Sequence, residues 1–308
     1  MLFNYLLKRL LAALFVLFGI TTLVFFLIHL VPGDPVEVML GETARPADRA
    51  ALRQALGLDL PLLQQWGQYL IAVLQFDLGQ SLHSKEAVFP LLMSRLPATI
   101  ILSLASLLIA VLIAVPLGIL AAVYKDSAWD RLSMISAMLG VSIPNFVMGP
   151  LLILIFALWL GWLPVSGMQG PASLVLPAIT LGTAMAAILS RMVRASMLDV
   201  IREDYITAAR ARGLPEWRVL GLHALRNAGL PVITILGMQF GALLAGAVIT
   251  ETIFSWPGIG QLLIESIQKR DYPVVQACVL LISVSYVIVN LITDFIYVAL
   301  DPRVRLET

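Results

Sequence analysis

The residues able to do bond-making chemistry are few in this 308-residue chain, and their spacing rules out the familiar catalytic sites. The four lysines follow Leu7, Ser84, Tyr124 and Gln268, so no Gly-Lys-Ser/Thr phosphate cradle can form. His29, His83 and His223 are widely separated, no His-Glu-x-x-His occurs, and with a single cysteine beside such scattered histidines a zinc site is not expected. No Gly-x-Ser-x-Gly nucleophile turn is present. Cys278 lies in an apolar run, which excludes a disulfide within the chain and leaves a packing role. What remains is polar chemistry without bond-making. Glu251 and Asp294 lie within or at the end of long apolar segments, where a carboxylate is a functional candidate by default. The plainer readings are that Glu251 sits at an outer interface and Asp294 pairs with a cytosolic arginine. Ser142, Asn145, Met148 and Gln239 join Glu251 as candidates to line a pathway, because polar groups at membrane depth are usually turned inward.

The elements that must position these groups follow from composition. The chain is 60% hydrophobic and 13% charged, with a mean hydropathy of +0.94. Soluble domains sit near ~45–50% apolar and about 25% charged, so a polytopic, all-α membrane protein in a lipid bilayer is predicted. Net charge is only +1, and no basic cluster alternates with aromatics, so nucleic acid is not an expected partner.

Charge-free runs place the spans. Residues 10–31 form a first span after Lys8 and Arg9, too long for a signal-peptide core and lacking its small-residue cleavage site. His29 near its end reads as an interfacial polar residue. Residues 32–95 are rich in Pro, Gly and charge, and form a small extracytoplasmic subdomain with short helices at 47–56 and 61–74. His83 there reads as a surface residue. Residues 96–124 give a second span, with Pro116 and Gly118 as a possible kink. A charged turn at 125–131 leads to 59 residues without Asp, Glu, Lys or Arg. One span needs roughly 20 residues, so the breaker-rich 161–171 divides this run into spans at about 132–160 and 174–198. Trp159 and Trp162 beside the break fit an interfacial aromatic belt. Spans five and six are predicted at about 230–251 and 273–299. Domain organisation is therefore 1–31, 32–95 and a five-helix core at 96–308.

Six spans place both termini in the cytosol. That orientation assigns 13 of the 20 Lys and Arg residues to the cytosol, and five of the other seven to the long first loop. Long loops escape the positive-inside rule, so the asymmetry holds.

Seven of those residues are arginines between 191 and 231, five of them in a cytosolic loop at about 199–229. The residues at 200–212 can form a short helix with Ile201, Tyr205, Ala208 and Ala209 near one face. Gly213 suits its stop and Pro215 the start of a second short helix at 216–225. Small alanines permit close approach by a partner, and a helix that merely lay on lipid would carry a bulkier apolar face. A docking handle is predicted, with Tyr205, Thr207, Ala208, Ala209, Arg210, Arg212 and Gly213 on it. On that reading Gly213→Pro or Ala209→Asp would leave insertion intact and uncouple the handle.

Thr207-Ala208-Ala209-x-x-x-Gly213, followed by His223-Ala224-Leu225-Arg226-Asn227-Ala228, resembles the coupling loop of permease subunits of ATP-binding-cassette importers. That family's pattern is Glu-Ala-Ala, three residues, Gly, nine residues, then Ile-x-Leu-Pro. Thr207, His223 and Arg226 depart from it here as is usual in the peptide/nickel branch. Other stretches resemble the same branch: Pro32-Gly33-Asp34-Pro35, Leu56-Gly57-Leu58-Asp59, Phe76-Asp77-Leu78-Gly79-x-Ser81, Phe254-Ser255-Trp256-Pro257-Gly258-Ile259-Gly260, Arg270-Asp271-Tyr272-Pro273 and Leu300-Asp301-Pro302-Arg303. The resemblance is to the first of two permeases in a dipeptide/oligopeptide/nickel importer. It implies a multi-pass protein of the bacterial inner membrane that passes short peptides, a nickel chelate or glutathione. It further implies a second homologous permease, two cytosolic ATPase subunits that hold the ATP and Mg, and an extracytoplasmic solute-binding protein. This chain itself would bind no cofactor and catalyse nothing. A partner-independent channel or secondary carrier using Glu251 and Asp294 is the alternative from a different class.

Overall fold

The computed structural model describes residues 2–30, 36, 45–55 and 58–300, and among them the chain is helical apart from turns and one isolated bridge between Gln80 and Ala87. The motif at 32–35, residues Leu56 and Gly57, the segment 301–308 with Arg303 and Arg305, and the side chain of His29 lie outside the described residues.

α1 (Leu2–Leu30) is the first span. α2 (Pro46–Ala55) and α3 (Leu62–Leu74) are the short helices expected after it. α3 leans on α1 through aromatic contacts: Phe18 meets Trp66 edge-on at 5.9 Å, and Trp66 Nε1 donates to Thr22 Oγ1 at 3.3 Å. Leu62 and Leu63 stay 51% and 75% exposed, so the packing stripe of α3 consists of Trp66, Tyr69, Leu70 and Val73.

α4 (Val88–Val123) and α7 (Pro171–Val200) form the centre. α4 has 36 residues, which at ~1.5 Å per residue exceeds a hydrocarbon core of about 30 Å. It therefore starts outside the bilayer, eight residues before the predicted span, because Val88 and Leu92 bury against the outer helix and the last span. Pro116 does not break it. The two central helices touch closely enough that a Cβ on Gly118 would stand 2.6 Å from Val193 Cβ, and one on Gly182 would stand 2.8 Å from Ile109 Cγ2. Small residues at such crossings are how helices gain packing where lipid supplies no hydrophobic drive.

The predicted single span at 132–160 is instead α5 (Ala128–Ser142) and α6 (Asn145–Leu152), which continues as a π-helical stretch (Ile153–Trp159), with a bend of 96° between the two arms. The cause is Pro144, which lacks an N–H and pushes Ile143 to extended backbone, φ −92° and ψ 111°. Among the described residues five helices are long and apolar enough to cross a membrane, and the bent pair, counted as one span, brings the number to six.

α8 (Asp204–Ala211) is the cytosolic helix. The expected second short helix is not separate. Glu216–Arg218, a π-helical turn Val219–Ala224 and α9 (Leu225–Gly246) run on as one rod, with Pro231 inside it. Span five ends at Gly246, short of the predicted 251, and α10 (Val248–Ile253) follows. The outer loop holds α11 (Ile259–Gln268), and α12 (Tyr272–Leu300) is the last span. Cys278 is fully buried in the outer cluster with Val88, Leu92, Ile259 and Val274.

Candidate functional site: an inner docking helix and an outer clasp

On the cytosolic side α7 ends at Val200, and residues 201–203 turn the chain before α8 begins, so the helix is four residues shorter at its start than predicted. Ile206 is completely buried and Ala209 is 7% exposed; both join the main core beside Met197, Val219 and Ala224. Burying an isoleucine is worth roughly 1.5–3 kcal/mol, which pins α8 to its own chain. Ala209 therefore leaves the predicted docking face, because the helix uses that position for its own anchorage. Tyr205, Ala208 and Arg212 are exposed and lie one above another at i, i+3 and i+7, with Thr207, Arg210 and Gly213 also outward. That arc is the face of α8 that the rest of the chain leaves exposed.

Its ends are fixed. Tyr205 Oη accepts from Asn227 Nδ2 at 2.7 Å, tying the start of α8 to the root of α9. Arg210 Nε donates to Glu216 Oε1 at 2.8 Å across the turn that follows. Gly213 adopts φ +76°, a left-handed conformation that ends the helix and that a side chain would oppose. Beside Tyr205 an open depression of about 760 Å³ is bordered by His223, Arg226, Asn227 and Ile233.

A second fixture joins the same end of the bundle. Arg194 of α7 makes a two-pronged bond to Asp130 of α5, both contacts at 2.7 Å, and Asp130 also accepts from the Asp126 N–H at 2.9 Å. Sequence reading missed this pair: the partners are 64 residues apart, and each stands among other charged residues at the cytosolic end of a charge-poor span.

On the outer side Glu251, at the end of the α9–α10 segment, is fully buried. Its Oε1 accepts from Thr99 Oγ1 at 2.7 Å, and its Oε2 accepts from the N–H groups of Gly260 and Gln261 at 2.7 and 3.0 Å. Thr99 Oγ1 in turn accepts from the Ile259 N–H at 2.9 Å. The Phe254–Gly260 motif is thus a clasp closed on one carboxylate. A Cβ on Gly258 would fall 2.2 Å from Glu251 Oε1, so the loop can wrap the acid only without side chains there. Trp256 Nε1 completes the closure by donating to the Ala98 carbonyl at 2.8 Å. Thr99 is a residue that sequence reading missed, being an unremarked hydroxyl 152 positions from its acid.

A companion lock joins two more of the motifs. Asp271 receives Ser81 Oγ on Oδ2 and the Leu82 N–H on Oδ1, the latter at 3.1 Å. His83 Nε2 lies 2.6 Å from the Lys269 carbonyl, so this surface histidine bridges the two loops.

The five predicted pathway residues lie on four elements, α5, α6, α9 and α10. Ser142 Oγ donates within its own helix to the Met138 carbonyl at 2.8 Å. Asn145 and Met148 are half-buried on the first turn of α6. Gln239 Nε2 donates to the Met185 carbonyl of α7 at 3.4 Å. Glu251 is closed off from solvent by its clasp, which removes it from a wetted lining. Asp294 pairs with Arg9 at 2.9 Å, the plainer of its two readings.

A long-helix bundle with a bent third span, a clasped outer loop and a short cytosolic helix defines a polytopic transport component. Residues 114–306 match the family described as binding-protein-dependent transport system inner membrane component, and residues 2–105 match the N-terminal part of such components. The chain belongs to that family, as a multi-pass inner-membrane permease subunit of an ATP-binding-cassette importer. It is 44% identical over 302 residues to the glutathione transport system permease protein of Escherichia coli O6:H1, covering 98% of this chain and 99% of that protein. The glutathione transport system permease protein of Salmonella paratyphi A is also 44% identical over 302 residues, with the same coverage. Among solved structures, two inward-facing crystal forms of the MetNI methionine ABC transporter share the fold. Their TM-scores are 0.57 and 0.58 at 18% and 20% identity, over 68% of this chain and 96% of theirs. Membership carries with it an ATPase and a solute-binding protein as working partners.

Proposed function

We propose that this chain forms half of the translocation pathway for short peptides, with glutathione the first solute to test, and that a second homologous permease forms the other half. Two cytosolic ATPase subunits would hold the ATP and Mg, and this chain would catalyse no reaction. The observation that carries the reading is α8: a helix bolted to its own core by Ile206 and Ala209 and bare along Tyr205, Ala208 and Arg212. A helix held on one side and open on the other transmits displacement, because its anchored face moves with α7 and α9. The peptide class rests on the near full-length similarity to glutathione permeases. Residues 58–87 and the 254–271 loop, locked together through Asp271, offer a firm outer surface to the solute-binding protein.

The test is uptake into vesicles holding the four-subunit complex, with labelled glutathione and a labelled dipeptide supplied with the binding protein. ATP-dependent accumulation of either supports the reading, and preference for glutathione fixes the branch. Solute flux by this chain alone, without ATP, would replace it with the carrier alternative.

A further inference from the structure

We propose that α3 lies flat in the outer leaflet of the bilayer, with Leu63 and Leu74 set among phospholipid acyl chains. From Leu60 to Phe76 the chain carries no charge, and Asp59 and Asp77, which bracket that stretch, are both exposed. None of the 13 residues of α3 is fully buried. Leu63 is 75% and Leu74 78% exposed, and Phe76 just beyond the helix is 68% exposed. α3 is thus the part of the predicted extracytoplasmic subdomain that enters the membrane.

Three observations select lipid as the occupant of the leucine face. The first is depth. Trp66 meets Phe18 and Thr22 of α1, and Tyr69 meets Phe25 with ring centroids 5.6 Å apart. The span-length part of α1 is Leu7–Phe26, so all these contacts fall in its outer half, at hydrocarbon depth. The second is the order of the faces. Trp66, Tyr69 and Val73 share the flank against α1. At 3.6 residues per turn, Leu63 and Leu74 lie about a quarter turn round from that flank, and Gln68 and Gln75 about a third of a turn further. Trp66 leans to the leucine side and takes the deeper contact on α1, whereas Tyr69 leans away and takes the shallower one. The leucine face is therefore the inward one and the glutamine face the outward one, the division of a helix resting at a membrane interface. The third is charge. Standing upright beside α1, the helix would carry Asp59 about 10 Å deeper than Trp66, into hydrocarbon that an exposed carboxylate avoids. Laid flat, it keeps Asp59 and Asp77 both at headgroup level. The neighbouring side of α1 is open as well, with Leu23 60% exposed, so the leucine face continues a surface that the span already offers to lipid. The face bearing Gln68 and Gln75 stays on the outer surface of the protein.

The test places one nitroxide at a time on the four-subunit complex in phospholipid nanodiscs, through Leu63→Cys, Leu74→Cys, Gln68→Cys or Gln75→Cys, with the partner subunits free of cysteine. Cys278 is fully buried and stays in place. Power saturation then compares collisions with oxygen, which concentrates in lipid, and with a water-soluble nickel chelate. The oxygen-to-nickel ratio at 63 and 74 should exceed that at 68 and 75 at least about threefold. Ile71→Cys, which lies between the two faces, should give an intermediate ratio. Two labels per face keep the comparison readable if one variant fails to assemble. Equal ratios on the two faces, with the nickel chelate reaching every site, would place α3 in water and overturn the proposal. So would shielding of 63 and 74 from both reagents, which would make the leucine face a contact with another subunit.

Discussion

Glu251 on the outer face commits both carboxylate oxygens to its own chain, whereas α8 on the inner face buries only Ile206 and Ala209 and leaves the rest of its circumference exposed. The two regions solve opposite problems with the same backbone material. The outer loop carries unpaired N–H groups that, in a site closed to water, need an acceptor, and one carboxylate supplies it. The inner helix lies in water, where its polar rim is already solvated, so nothing forces it to close on itself. Fixed geometry belongs to the loop, and available surface belongs to the helix.

The largest expected effect breaks the outer side. Glu251→Ala leaves the Gly260 and Gln261 N–H groups and the Thr99 hydroxyl facing a dry cavity. Each unmet donor costs about 1–3 kcal/mol, so a loss of roughly 3–9 kcal/mol is expected, read as a collapse in inserted protein or a much lower thermal midpoint of the complex. A midpoint within a degree or two of wild type would show that water replaces the acid and that the clasp is ornamental. Glu251→Gln should fall between, because its amide turns a donor toward donors.

Two adjacent alanines sharpen the inner side. Ala209→Asp puts a carboxylate into the core beside Ile206, Val219 and Ala224, and a buried unpaired charge should destabilise the complex by several kcal/mol. The sequence-based expectation that it would uncouple without harming insertion is therefore replaced. Ala208→Asp, one residue earlier and exposed, should change stability by less than about 0.5 kcal/mol while lowering ATP-driven uptake at least tenfold with hydrolysis retained. Normal uptake from Ala208→Asp would take the open arc out of the coupling contact.

This pair also marks where sequence reading stopped. Charge-free runs, the arginine-rich loop and the motif order were legible because hydrophobic length and charge asymmetry are one-dimensional properties. The facing of α8 was not, since an alanine serves equally well in a core or at a docking surface, and eight residues of mixed polarity give no clear stripe. The 96° bend at Pro144 was legible as a breaker but not as an angle, because the missing N–H says where a helix yields and packing says how far. Thr99 and Arg194 were illegible for a different reason: each acts through a partner brought close only by the fold, 152 and 64 positions away.

The smallest effect tests whether fixed geometry on the inner face comes from packing or from charge. Arg210 and Glu216 bridge the turn after α8 at 2.8 Å, with side chains 39% and 59% exposed. An exposed pair contributes about 0–1 kcal/mol, screened further by salt, whereas the Ile206 anchor contributes more through burial alone. Arg210→Ala should therefore lower stability by no more than about 0.5 kcal/mol, with the deficit vanishing at high salt. Any reduction in uptake should then come from the lost guanidinium on the docking surface, and Glu216→Gln, which breaks the same bridge and keeps the arginine, should transport normally. If both variants lose transport equally, the bridge itself holds α8 in place, and the turn at Gly213 rather than the core sets the angle at which the helix meets its partner.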